Sequence, residues 1–183
     1  MEGEQMPNSL NGWPVISPTS TALRQGTVPT TTRKIRMRGN VLPLFLALAF
    51  DYDDWINPID VGPLDDAGYC YRMSHGSDGW SNHASGTALD LNWSKEGAQR
   101  ATNKVFWAKN DIRLRTLQIK RIYHVVDWGG DWSSVFWDPM HFEIGHGVNA
   151  SNVAQQIHKL GIDSKGVRFN NWDGVPLKEP RGA

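Results

Sequence analysis

Two short segments of this sequence carry residue types that bind metals and transfer protons. The first segment reads SNHASGTALD and places an imidazole, His83, seven residues before a carboxylate, Asp90. The second segment reads DPMHFE and supplies Asp138 and His141. Two histidines and one aspartate give three nitrogen or oxygen ligands and leave a fourth tetrahedral position for water, which is the layout of a catalytic zinc site. Asp138 lies three residues before His141, within reach of such a water without being a ligand itself.

Each of these residues also has an ordinary structural interpretation. A histidine in a loop rich in Gly and Ser is usually solvated, and Asp90 on a strand could cap a neighbouring backbone group. Short motifs of this kind often occur without a site. The combination of the two segments, in this order, is what favours a metal centre.

Together, the two segments resemble the VanY-like zinc peptidase family, which contains D-Ala-D-Ala carboxypeptidases and L-alanyl-D-glutamate endopeptidases. SNHASGTALD matches the family signature Ser-x-His-x-x-Gly-x-Ala-x-Asp position for position. Residues 128–132, which read WGGDW, and the following DPMHFE are similar to a block of the endopeptidase branch, which includes many bacteriophage endolysins. The resemblance spans about residues 33–160. One difference is that the proline stands at 139, directly after Asp138, and not directly before the histidine.

The resemblance implies a role for several side chains. Asp138 matches the general base, and Arg72 matches an arginine that contacts the substrate and polarises the scissile carbonyl. Arg72 could alternatively be a surface residue near the acidic segment 51–66. Ser81 either lines the substrate site or caps the loop, and Glu143 shares a face with His141 and could orient an imidazole. The positions that match the Zn²⁺ ligands are His83, Asp90 and His141.

The function that the resemblance implies is hydrolysis of the stem peptide of bacterial peptidoglycan by an L-alanyl-D-glutamate endopeptidase of the phage endolysin type. A D,D-carboxypeptidase is the alternative within the same class. A non-catalytic binding module, as Hedgehog-type domains illustrate, and a virion tail component remain open as well. The segment Met1–Glu4 has neither the basic start nor the apolar stretch of a secretory signal. We therefore expect the protein to stay in the host cytoplasm until lysis and then to reach the cell wall.

Composition excludes several other classes of protein. The 183 residues include 19 Lys and Arg against 19 Asp and Glu, and this zero net charge argues against a nucleic-acid partner. A single cysteine, Cys70, excludes an internal disulfide. The longest apolar run, residues 41–50, is half the length of a membrane-spanning helix and contains a proline. We expect a monomer with no membrane span.

The pattern of apolar residues predicts a single α+β domain in which helices pack against a small antiparallel sheet, as in the Hedgehog/D,D-peptidase-like zinc peptidase fold. An irregular arm over residues 1–32 precedes the peptidase domain at 33–164, and a tail follows at 165–183. Asn40 and Ser151 are predicted to cap a buried helix and a C-terminal helix, respectively. The remaining predicted elements are strands over 69–73, 88–93 and 140–144, helices over 94–110 and 111–120, and a strand that ends at 126.

Overall fold

Helices and short antiparallel strands are mixed along the chain. The structure is a computed structural model that describes residues 6–75, 77–97 and 101–169. The α+β prediction is confirmed, whereas the narrower assignment to a Hedgehog-like fold stays a prediction. The elements are β1 (Leu23–Thr27), β2 (Lys34–Arg38), α1 (Leu42–Trp55), β3 (Ala88–Asp90), α2 (Trp93–Glu96), α3 (Ala101–Trp107), α4 (Asn110–Ile122), β4 (Val126–Trp128), a 3₁₀ turn (Gly129–Asp131), β5 (His141–Ile144) and α5 (Ala150–Lys159).

The sheet that carries the candidate site has three antiparallel strands in the order β3-β5-β4. Its register pairs Asp90 with His141 and Ala88 with Glu143. Residues directly opposite each other in an antiparallel pair point to the same face. The polar side chains of β3 and β5 therefore share one face, while Leu89 and Phe142 are buried on the other. The prediction that Glu143 shares a face with His141 is confirmed.

Helix α1 forms the centre of the hydrophobic core. Ten of its fourteen residues are buried, because apolar side chains follow one another with almost no polar face. The ring of Tyr52 meets the Phe142 ring edge-on at 6.0 Å, which joins the helix to the apolar face of the sheet. The helix has no side-chain cap: its N-cap is Val41, so the prediction that Asn40 caps it is wrong. The helix ends at Trp55, shortly before Asn57-Pro58, because the residue before a proline is disfavoured in the helical conformation.

The N-terminal segment belongs to the packed domain more closely than its composition indicates. The prediction of an irregular arm over residues 1–32 is wrong for 23–27, which form strand β1 and pair with β2. Trp13, Val15 and Val28 are also buried. The predicted boundary at residue 33 therefore falls inside a β-hairpin, and residues 1–5 lie outside the described part of the chain.

Three other predicted elements differ from the structure. Residues 69–73 make no continuous strand, because the amides of Tyr69 and Cys70 donate to two different partners, Arg36 and His83. Cys70 is exposed. The helix predicted over 94–110 is divided into α2 and α3, since the backbone becomes extended at Gly97. Residues 98–100 lie outside the described ranges.

The following helices and the C-terminal end are closer to the predictions. α4 contains the helix predicted over 111–120, although the next strand begins at Val126 and does not end there. The N-cap of α5 is Asn149, which forms a capping box with Asn152, and not Ser151. Residues 162–168 fold back over α1, where Arg168 lies 3.4 Å from the buried carboxylate of Asp51. The predicted tail 165–183 is described only to residue 169. No helix in the described part of the chain has the length and apolar character needed to cross a bilayer.

Candidate active site

The loop that presents His83 is a tight turn closed by its own backbone. Its amides bond back within the loop, with Ala84 donating to Ser81 and Gly86 donating to His83. Gly86 has a positive φ of 69°, and a Cβ there would lie 2.6 Å from the backbone nitrogen of Arg38. Glycine is therefore required both for the conformation and for the close approach of β2. The loop holds the His83 imidazole buried beside the end of β3.

The three predicted ligands come together at this point. The Nδ1 atom of His141 lies 2.7 Å from Asp90 Oδ1, and the Nε2 atom of His83 lies 3.3 Å from Asp90 Oδ2. All three side chains are buried, and one ligand atom from each lies within 4.8 Å of the other two. The strand register accounts for the Asp90–His141 contact, and the loop supplies His83. Their predicted role as ligands remains a prediction, while their proximity is a feature of the structure.

The other nitrogen of each imidazole has a fixed partner. His83 Nδ1 lies 2.6 Å from the Gly68 carbonyl oxygen, which can only accept a hydrogen bond. His141 Nε2 lies 2.8 Å from Glu143 Oε2, and that carboxylate also accepts a hydrogen bond from the Asn82 amide at 2.6 Å. These outer contacts hold a proton on each outer nitrogen, so the nitrogens that face Asp90 can bind a cation once His141 has given up the proton that it shares with Asp90. This is how proteins orient histidines that bind metals.

The electrostatics of the cluster fit a bound cation. Within the described residues, the buried Nε2 atom of His83 has no hydrogen-bond partner. Burial disfavours charge on His141, but its hydrogen bonds to Asp90 and Glu143 outweigh this and raise the pKa of His141 to about 10. Burial would raise the pKa of Asp90, yet His83 and His141 hold it well below its usual range. A site that retains a proton on His141 and an ionised Asp90 can exchange that proton for a divalent cation, and the N₂O donor set suits zinc.

Asp138 lies across the same cleft. Its backbone is fixed by bonds to Gly129 and His141, and a Cβ at Gly129 would come within 2.3 Å of the Asp138 carbonyl oxygen. The Oδ1 atom of Asp138 is buried and makes no hydrogen bond to any described residue. Burial raises the pKa of Asp138 above its usual value. The positive charge of His141, and to a smaller extent that of Arg72, opposes this shift without cancelling it. The carboxylate is thus available to a substrate or a water in the cleft.

Arg72 and Ser81 line this cleft as well, which has a volume of about 670 Å³. Arg72 is partly exposed and, to the residues that the structure describes, donates one hydrogen bond of 3.2 Å, to the Met73 carbonyl, so most of its guanidinium donors are free of these residues. The buried Ser81 hydroxyl accepts a hydrogen bond from the His83 amide at 3.3 Å. Both interpretations of Ser81, in the loop and at the cleft, agree with this position.

Several cleft residues had no signal in the sequence. Leu10 and Asn11 reach the cleft from the N-terminal segment, more than 70 residues before His83. We call the loop that carries His83, residues 81–87, the metal loop. His75 and His146 line the cleft too, although isolated histidines in loops gave no reason to select them. Trp132, in the WGGDW block, packs its ring 5.2 Å from the His141 ring. For Trp132, the only indication in the sequence of a position near the site was its place in the WGGDW motif.

A family model described as D-alanyl-D-alanine carboxypeptidase matches residues 75–144. No curated protein and no solved structure matches the chain significantly. The matched segment begins before the metal loop and ends with β5, so it contains His83, Asp90, Asp138 and His141. The family match confirms the resemblance that the two motifs indicated: residues 75–144 of this chain are similar to VanY-like zinc peptidases.

Proposed function

We propose that this chain is a zinc-dependent peptidase that cleaves the stem peptide of bacterial peptidoglycan at the L-alanyl-D-glutamate bond. The observation that carries the proposal is the buried cluster of His83, Asp90 and His141 at the floor of a cleft that also holds Asp138 and Arg72. Amide hydrolysis needs an activated nucleophile, a stabilised oxyanion and a protonated leaving group. The cleft contains a candidate for each requirement.

The residues divide this work between them. When bound, a zinc ion supplies Lewis acidity toward the scissile carbonyl and activates water. Asp138 accepts the proton of the attacking water and returns it to the departing amine, which is general base and then general acid catalysis. Arg72 donates to the carbonyl oxygen as negative charge develops there. Gly68 and Glu143 keep the two imidazoles in the tautomers that bind metal.

Two observations favour an active endopeptidase over the alternatives. The WGGDW block is typical of the endopeptidase branch, and its Trp132 forms a wall beside His141. A non-catalytic module would have no need for both Asp138 and Arg72 in the cleft. The D,D-carboxypeptidase alternative is favoured by the description of the matching family model. As a cellular role, we propose release of the enzyme from the host cytoplasm at lysis, with a virion tail enzyme as the alternative.

Mass spectrometry of fragments released from purified peptidoglycan tests the proposal. The zinc-loaded protein is expected to expose a new free amine on D-glutamate, and the Asp138→Asn protein serves as the control that is expected to bind metal and to turn over about 10²–10⁴-fold more slowly. Release of free D-alanine would instead identify a D,D-carboxypeptidase. If peptidoglycan purified from several bacteria that differ in the chemistry of their cross-links yields neither product, the proposed function is wrong.

A further inference from the structure

Asn82 neighbours one proposed ligand, His83, in the sequence and is linked to a second, His141, in space. Its side chain belongs to the metal loop and is buried. Its Nδ2 atom donates a 2.6 Å hydrogen bond to Glu143 Oε2, and the same oxygen lies 2.8 Å from His141 Nε2. A single carboxylate oxygen therefore connects the Asn82 amide with the His141 ring.

Hydrogen bonds fix the orientation of the Asn82 amide group. Its Oδ1 atom accepts a hydrogen bond from the backbone amide of Asn11 at 2.8 Å. A backbone amide can only donate, so the Asn82 oxygen faces Asn11 and its Nδ2 group must face Glu143. The Asn82 carbonyl accepts from the Ser85 and Thr87 hydroxyls at 2.9 and 3.2 Å, which holds the main chain at the same point. Asn82 is thus a fixed donor directed at Glu143.

Glu143 depends on this donor for its orientation. It is partly buried at the border of the cleft, and among the described residues its carboxylate accepts hydrogen bonds from His141 and Asn82. A glutamate side chain has several rotatable bonds, and one hydrogen bond to its end does not select a single rotamer. The second donor comes from the metal loop and not from β5, so the two together restrict the carboxylate to a position beside the His141 ring.

The bond between Glu143 and His141 becomes more important when a cation is bound. A cation that His141 binds through Nδ1 takes the place of its hydrogen bond to Asp90, and the bond to Glu143 then orients the ring. We propose that Asn82 is a positioning residue of the metal centre, because it holds Glu143, and through it the His141 ring, in the orientation that binds zinc. This inference rests on the zinc site of the proposed function and is independent of which bond is cleaved.

The dissociation constant for zinc tests the proposal, measured by competition between a chelator and the zinc-loaded full chain. Asn82→Ala should raise this constant about tenfold, the lower end of the effect of outer partners, because Asn82 acts through another residue. The melting temperature of the zinc-free protein reports any general loss of stability. Asn103→Ala is the matched control, since Asn103 is also buried and donates a hydrogen bond, to the Glu96 carbonyl at 3.2 Å, but does not line the cleft. It should lower the melting temperature and leave the zinc affinity unchanged.

A double-mutant cycle with Glu143→Ala distinguishes an effect through Glu143 from a general effect on the metal loop. When Glu143 is already absent, adding Asn82→Ala should raise the dissociation constant for zinc by less than about twofold, the usual limit for residues that do not interact. The full tenfold loss in both backgrounds would overturn the proposal, as would wild-type zinc affinity of Asn82→Ala. Asn82→Ser provides the same cycle if Asn82→Ala does not fold.

Zinc affinity also separates this inference from the proposed function. A chain that binds zinc with the expected dependence on Asn82 but cleaves no stem peptide would refute the peptidase and would still support the positioning role of Asn82. A wild-type chain that binds no zinc would overturn both.

Discussion

Replacing Asp138 by Asn should separate catalysis from metal binding and from folding. The substitution keeps the side-chain volume but removes proton acceptance. The backbone bonds of Asp138 to Gly129 and His141 are unchanged, and no described residue donates to its Oδ1 atom. We therefore expect zinc to remain bound and thermal stability not to fall. A buried carboxylate whose pKa is raised by burial is costly to keep ionised, so its loss removes a destabilising charge.

The expected loss of activity follows from the role of the base. General acid–base catalysis contributes about 10²–10⁴ in rate, which corresponds to roughly 3–5 kcal/mol of transition-state stabilisation. The wild-type rate should fall on the acid side as Asp138 becomes protonated, at a higher pH than for an ordinary aspartate because burial raises its pKa. The residual activity of Asp138→Asn should lack this acidic limb.

The assay is the pH dependence of kcat/KM on a stem peptide, together with the zinc content and the melting temperature of each protein. Asp111→Asn is the matched control, because Asp111 is an exposed aspartate on α4 whose one ion pair within the described residues is with Arg115 at 3.8 Å. Loss of zinc from Asp138→Asn would make Asp138 a ligand and would reopen the role of Asp90. Retention of zinc with full activity would place the base elsewhere, with Glu143 the first residue to test.

Three further substitutions test the remaining parts of the reasoning. His141→Ala removes a proposed ligand, so zinc content should fall from one ion per chain and the metal-dependent gain in melting temperature should disappear. Arg72→Ala should lower kcat/KM about 10²–10³-fold with zinc content and melting temperature unchanged, as for the loss of one oxyanion donor. Burial, opposed by Arg168, raises the pKa of Asp51 to about 6 from the ordinary aspartate value of about 3.9, so the folded state binds this proton more tightly than the unfolded state. The wild-type free energy of unfolding should therefore decrease by up to about 3 kcal/mol as pH rises from 4 to 6.5, and urea unfolding should show a smaller decrease for Asp51→Asn.

Each of these expectations has a contrary result. A His141→Ala protein that still binds one zinc ion with wild-type affinity would remove His141 from the ligand set. Wild-type turnover by Arg72→Ala would return Arg72 to the surface. An identical pH dependence of unfolding for the wild-type protein and Asp51→Asn would mean that Asp51 has an ordinary pKa in the folded state.

The sequence predicted which residues meet in the cleft better than it predicted the elements around them. Alternation over residues 88–90 and 141–144 was sufficient to place Asp90 and His141 on the polar face of adjacent strands, because period-two patterns directly reflect which face is buried. The segment 69–73 has strand composition, but its backbone bonds to several separate partners, which are Arg36, His83 and, through a single bridge at Met73, Trp80. The helix predicted over 94–110 ignored Gly97, and both predicted caps missed the residue that begins the helix. These differences depend on tertiary contacts, which local composition does not contain.

The position of Asn11 has a consequence for the order in which the site is assembled. Its side chain donates to Thr87 in the metal loop at 2.9 Å and to the Ile144 carbonyl at the end of β5 at 2.9 Å, while its amide donates to Asn82. These bonds join a residue near the start of the chain to one 133 positions later. During synthesis the metal loop cannot acquire all its supports until β5 has left the ribosome, and contacts of such long sequence separation form slowly. A nascent chain should therefore gain its full affinity for zinc only late, and a cut in the segment after Asn11 should weaken metal retention without touching any ligand.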